Sequence, residues 1–314
     1  MKDKSAINLR KSRNRGSIEQ QSKVPDNDGD VMSIANKDVI HIPPSKSIKD
    51  TAKVMMEHEF RRLPVTDPGS GKLLGIVTVM DILDFLGGGK KFNIIENKYQ
   101  DNFLAAINEP IREIMTREVI YLSNKDSIAK AIDTMLDNHV GAVPILNADE
   151  ELVGIVTERD VALSLAGVLT EEVAKDYMTK NVITTTPGTP VEGASKIMVR
   201  NRLRRIPIEG EDTNLATTNE ERLLGIITTT DIIRFFNDKE LFNQMISNAA
   251  SDVLDIKISE IMVTDMITVD PLERLGDICE LFKEKNIGGV PVTKNNKILG
   301  IITERDILKA IKED

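Results

Sequence analysis

Four times along this chain an apolar pair is followed, 25 residues later, by a proline inside a short apolar run. The pairs are Val39-Ile40, Val119-Ile120, Val182-Ile183 and Met266-Ile267. The prolines are Pro64, Pro144, Pro207 and Pro291, in RRLPV, GAVPI, RRIPI and GGVPV. A second apolar run follows each: LLGIVT, LVGIVT, LLGIIT or ILGIIT. Its glycine (Gly75, Gly154, Gly225, Gly300) stands six positions before an aspartate (Asp81, Asp160, Asp231, Asp306). Two spacings held in four copies identify an internal repeat, which decides the fold before any other feature does. The proline-to-aspartate distance varies, so a surface loop falls between them, longest in the third copy from Glu209 to Arg222.

Each copy reads as strand, helix, strand, turn, strand, helix. The first helix carries apolar residues at helical spacing, as in Ile128, Ala131, Ile132 and Met135, or Leu275, Ile278, Cys279 and Phe282. The next two strands are short apolar runs joined by turn-rich pieces such as DPGSG and KNNK, which suits a hairpin. The closing helix starts at the aspartate. One such unit has a small core and a bare apolar sheet face, so neighbouring copies are expected to pack in pairs. The expected divisions are a disordered tail over 1–32, repeats over 33–90, 114–170, 171–240 and 241–314, and a connecting helical segment over 91–113. Gly87-Gly88-Gly89 should end a helix and turn the chain. Neither this stretch nor GSGK at 69–72 completes a phosphate-binding loop, because no Ser or Thr follows the lysine.

Composition narrows the class. No apolar run approaches the ~18–20 residues of a membrane span, and the N-terminus lacks a signal layout, so a cytoplasmic location is expected. A net charge of −9 argues against a general nucleic-acid coat. The basic run Lys2, Lys4, Arg10, Lys11, Arg13 and Arg15, followed by Asp26, Asp28 and Asp30, reads as a solvated tail. The one cysteine, Cys279, excludes an internal disulfide and is expected to fill core space.

Each closing helix opens on Thr-x-x-Asp: Thr78 with Asp81, Thr157 with Asp160, Thr228 with Asp231, Thr303 with Asp306. This is the pattern of a capping box. It also suits nucleotide binding, with the aspartate accepting ribose hydroxyls while threonine and helix amides meet phosphate. Basic residues favour the second reading. Arg61-Arg62 and Arg204-Arg205 precede the proline in copies one and three. Copies two and four have Gly141-Ala142 and Gly288-Gly289 there, and carry Arg159 or Arg305 immediately before the aspartate instead. A cleft between paired copies could then offer ribose acceptors from one side and guanidinium forks from the other.

With these motifs in place the chain resembles the CBS-domain family, over about residue 33 to the C-terminus. The four-repeat arrangement is similar to archaeal four-CBS proteins and to the γ subunit of AMP-activated protein kinase. The stretches Gly87–Asn93 and Phe103–Pro110 look most like the archaeal group. The resemblance implies an α/β fold of four CBS repeats (β-α-β-β-α) paired into two pseudo-twofold Bateman modules. It also implies adenosine ligands in their clefts: Asp81, Asp160, Asp231 and Asp306 hold ribose, the arginines and threonines just named hold phosphate, and Ile40, Ile120, Ile183 and Ile267 flank adenine. The kinase subunit often has His-Arg before Leu-Pro where this chain has Arg-Arg, so a preference among AMP, ADP and ATP does not carry over.

The expected function is thus an energy-sensing regulator acting on an unidentified protein effector, without catalytic cofactor or metal, with room for a homodimer. The rivals are a sensor of S-adenosylmethionine or methylthioadenosine, and a nucleic-acid-binding regulator using the basic tail. An enzyme has little support, because His41, His58 and His139 occupy non-equivalent positions and no triad order, zinc spacing or Walker lysine accompanies them.

Overall fold

The computed structural model describes residues 29–169, 171–211, 221–237 and 249–313. The basic run from Lys2 to Arg15 lies outside them. The first copy runs α1 (Ile48–Glu57), β1 (Arg62–Thr66), β2 (Leu73–Thr78) and α2 (Val79–Leu83). The second runs α3 (Ile128–Asp137), β3 (Ala142–Leu146), β4 (Leu152–Thr157) and α4 (Glu158–Leu165). The third runs α5 (Val191–Asn201), β5 (Arg205–Glu211), β6 (Glu221–Thr228) and α6 (Thr229–Phe236). The fourth runs α7 (Leu275–Glu284), β7 (Gly289–Lys294), β8 (Lys297–Thr303) and α8 (Glu304–Glu313).

The hairpins are antiparallel, with Pro64, Pro144, Pro207 and Pro291 opposite Ile76, Ile155, Ile226 and Ile301. The strand expected at each apolar pair is short and begins just beyond it. It is Leu122–Ser123 in copy two and a single parallel bridge in the others, Ile42–Val65, Thr185–Ile208 and Val269–Val292. The chain must turn at once into the opening helix; in the first two copies Ser47 and Ser127 accept from the amides of Asp50 and Lys130.

Packing divides the chain into two units. One contains residues 40–119 and 182–266, hence copies one and three. The other contains the described residues up to Val39, with 120–181 and 267–313, hence copies two and four. Each unit therefore draws on alternate copies. In the first unit α2 packs on α6, and in the second α4 packs on α8. The chain passes from unit to unit at each of the four apolar pairs.

Those crossings interleave the sequence. The outer strand of each hairpin gains one rung from a segment that leads into another copy: Thr116 on Ile76, Asn36 on Ile155, Val263 on Ile226 and Thr179 on Ile301. The same segments satisfy the first amide of each opening helix. Ile48 N donates to Glu109 O, Val191 N to Ile256 O and Leu275 N to Glu172 O, while Ile128 N donates to the Asp30 carboxylate at 2.6 Å. Helix-terminal donors have no partner in their own helix, so this cap is part of the packing.

The segment that leads into copy one also moves the expected tail boundary. Val31 and Met32, assigned to a tail ending at 32, sit in a short helix Val31–Ile34 and are buried in the core of the second unit. Cys279 is buried in the same core, where desolvation pushes its thiol up to about 12, which makes it inert filling. In the first unit the connecting segment buries Ile95, Phe103 and Ile111. Gly87 and Gly88 end the α2 region as expected: Gly87 has φ +111°, and a Cβ on Gly88 would lie 2.4 Å from Val199 Cγ2 and 2.8 Å from Leu83 O. GSGK is a hairpin turn, with Asp67 accepting from the amides of Gly69 and Ser70.

Candidate functional site

Each closing helix starts directly from the second hairpin strand, so the threonine ends a strand and the aspartate lies in the first helical turn. The capping box is realised in the first three copies, and in the fourth Thr303 makes the same two bonds to its aspartate. The threonine backbone amide donates to aspartate Oδ2 at 2.7, 2.9, 2.9 and 3.0 Å, in chain order. The hydroxyl donates to the same oxygen at 2.7, 2.7, 2.6 and 2.7 Å. Oδ2 is thereby committed to the fold, and the carboxylate presents Oδ1 to whatever else it holds. In three copies that oxygen meets a cation: Lys91 at 2.5 Å from Asp81, Arg234 at 3.4 Å from Asp231, and Lys309 at 2.9 Å from Asp306.

The arginines fall into two groups. Arg62 and Arg205 open β1 and β5 in register with Thr78 and Thr228, and the carbonyls of Arg61 and Arg204 accept from the first amides of α2 and α6. Each Arg-Arg pair therefore sits at the strand-to-helix junction of its own copy. Arg159 and Arg305 do reach across between paired copies, and what they meet is glutamate. Arg159 Nε lies 2.7 Å from Glu304 Oε1, and its other nitrogens donate to Asn286 Oδ1 and Ile287 O. Reciprocally, Arg305 lies 3.2 Å from Glu158 Oε1 and donates to the carbonyls of Met135 and Leu136. Glu158 and Glu304 are 1% and 3% exposed, so each pair sets a buried carboxylate against a guanidinium side chain that is 24% or 23% exposed.

Ile120 and Ile183 are exposed, and Ile40 and Ile267 are half-buried. The open apolar face at Ile120 and Ile183 is where a flat ring could lie, and Ile40 and Ile267 stand at the equivalent places. His41 is bonded to Thr66, His139 contacts Arg305, and His58 ends α1. Among the described residues no group of His, Cys, Asp and Glu could hold a metal ion, and no helix is long and apolar enough to cross a membrane.

The four copies correspond to four matches to the CBS domain model, over residues 30–88, 111–167, 174–238 and 258–313. The chain belongs to the CBS-domain family. It is 42% identical to the uncharacterized protein MJ1225 of Methanocaldococcus jannaschii, over 89% of this chain and 98% of that protein. The crystal structure of MJ1225, described as a candidate archaeal homolog of g-AMPK, superposes with a TM-score of 0.83 over 90% of this chain and 99% of that one. An uncharacterized conserved protein from Pyrococcus horikoshii, 20% identical, shares the fold with a TM-score of 0.56 over 88% of this chain and 97% of its own. The mixed helix and strand architecture of four CBS repeats is the one expected of paired CBS modules.

Sequence reasoning missed the cations beside these CBS aspartates. Arg234 and Lys309 stand three residues after their acids, a helical spacing that could have found them. Lys91 stands ten residues beyond Asp81 and arrives only because Gly87 and the turn after it fold the chain back, so no periodicity marks it.

Proposed function

We propose that this CBS-domain chain is a non-catalytic regulator that binds AMP, ADP or ATP and acts on a protein effector in the cytoplasm. The observation that carries the reading is the fourfold Thr–Asp junction, in which Oδ2 is fixed by two donors, with Oδ1 of Asp81, Asp231 and Asp306 meeting cations. A carboxylate held this way is pre-aligned to accept ribose hydroxyls. Asp81, Asp160, Asp231 and Asp306 take ribose, and Ile40, Ile120, Ile183 and Ile267 lie beside adenine. Thr78, Thr157, Thr228 and Thr303 stand at the helix N-termini that meet phosphate, their own amides being held by the aspartates. Arg61, Arg62, Arg204 and Arg205 supply the charge for phosphate, whereas Arg159 and Arg305 stay with their glutamates. The likeness to MJ1225, described as a candidate homolog of g-AMPK, supports the same reading.

Thermal melts with AMP, ADP, ATP, S-adenosylmethionine and methylthioadenosine test it, since a ligand of the folded state alone raises the melting temperature. Stabilisation by the last two and by none of the nucleotides would overturn the phosphate assignment. Calorimetric titration of Asp306→Ala separates site from cap. A ribose role predicts a ten- to hundredfold loss at one site, whereas a cap alone costs about 1 kcal/mol of stability and leaves affinity unchanged.

A further inference from the structure

The second unit pairs its two closing helices through charges at positions that are uncharged in the first unit. The residues two and one before the aspartate are Glu158-Arg159 in α4 and Glu304-Arg305 in α8, but Val79-Met80 in α2 and Thr229-Thr230 in α6. The backbone setting is the same in all four. Glu158 N donates to Gly141 O and Glu304 N to Gly288 O, as Val79 N does to Arg61 O and Thr229 N to Arg204 O. Val79 and Thr229 are each 1% exposed, as deeply buried as the glutamates they replace. The crossed arginines also obey the pseudo-twofold relation. Arg159 reaches Asn286 and Arg305 reaches His139, which occupy equivalent places five residues before their prolines and share a left-handed backbone, φ 52° and 53°.

Four copies with one backbone plan have several ways to pair. A buried carboxylate brought opposite α2 or α6 would meet Met80 or Thr230 at the position from which Arg159 or Arg305 now answers it, and uncompensated interior charge is among the strongest penalties a protein can impose. Discrimination between related partners is commonly built from such a penalty against the wrong one. The structure assigns the reciprocal pairs Arg159–Glu304 and Arg305–Glu158 the role of a pairing code that sends the second repeat to the fourth and leaves the first and third to each other. The partner this surface fits is a closing helix that presents Glu-Arg at its first turn. The inference is independent of which ligand the chain binds.

The test uses the full chain and the contact between Lys312 and Asp133, whose Nζ and Oδ1 lie 2.7 Å apart across the same two repeats. A zero-length carbodiimide coupling of this pair, quantified by peptide mass after unfolding and refolding, reports second-to-fourth pairing. The one-sided variant Glu158→Val with Arg159→Met should melt about 10 °C lower, because it strands Glu304 and Arg305. Adding Glu304→Thr and Arg305→Thr should restore most of that loss, as the first unit shows the plan tolerates, while the refolded Lys312–Asp133 yield falls about fivefold because choice has been removed. Three results would overturn the code: a one-sided variant that melts and couples like the parent, a four-residue variant that refolds with the parental coupling yield, or a four-residue variant that does not fold. The last would make the charges a requirement of the fold and not of partner choice.

Discussion

The ammonium of Lys91 lies 2.5 Å from Oδ1 of Asp81, the oxygen that the threonine cap leaves available. A ribose hydroxyl arriving at Asp81 must compete with that ammonium. Lys91→Met should therefore raise the affinity of this one site for adenosine, by about tenfold if a single charged hydrogen bond is at stake. Adenosine has no phosphate to draw the lysine away, so it isolates the competition. Calorimetric titration checks this, and unchanged adenosine affinity would show that Lys91 stands aside from the ribose position.

Glu109 gives the first unit a sensitivity to acid. Its carboxylate is 4% exposed; burial alone would raise its pKa, but Lys98 at 2.6 Å and the Tyr99 hydroxyl overcome that and hold it below the usual glutamate range. A depressed carboxylate contributes stability that is present above its unfolded pKa and lost as pH falls through the folded one. Lys98 and Tyr99 are both raised, first by their hydrogen bonds to Glu109, so their contribution is present at neutral pH and lost as pH rises past the lysine and tyrosine ranges. Melting temperature followed across pH should decline at both ends, and Glu109→Gln should flatten both declines.

Gly88→Ala should destabilise the chain by about 1–3 kcal/mol, because the new methyl would meet Val199 and the Leu83 carbonyl closer than van der Waals contact allows. Chemical denaturation measures it. Gly71→Ala is the control for backbone strain without crowding, having φ +71° and nothing within 4 Å of the added carbon.

Asp30→Ala should cost about 1 kcal/mol, the usual worth of a helix cap, although the residue lies 98 positions from the amide it caps. A truncation that starts at Gly29 should retain that stability, and one that starts at Val31 should not.

The repeat made most of the architecture legible. Fixed spacings located every hairpin, every opening helix and every Thr–Asp junction, because those are local and each copy restates them. What stayed hidden is non-local. Asn36 and Thr116 carry no mark that they will bridge to Ile155 and Ile76, since a single ladder rung leaves no periodicity. Arg159 and Arg305, expected at phosphate from their alternation with the Arg-Arg pairs, lie against Glu304 and Glu158 of the opposite helix, partners that nothing in the local spacing marks. Val31 and Met32 are equally unmarked, because two buried residues are too few to stand out beside a long polar run.

The exchange of segments between copies has a consequence for how the chain is made. The unit that repeats in the gene is not the unit that closes a core, since each core draws on stretches far apart in sequence. During synthesis the first unit cannot be completed before Val263 has emerged to bridge Ile226, and the second must wait for α8. A nascent chain that has finished two perfect copies still has apolar faces open, so the interval before the fourth copy appears is when it most needs protection from aggregation.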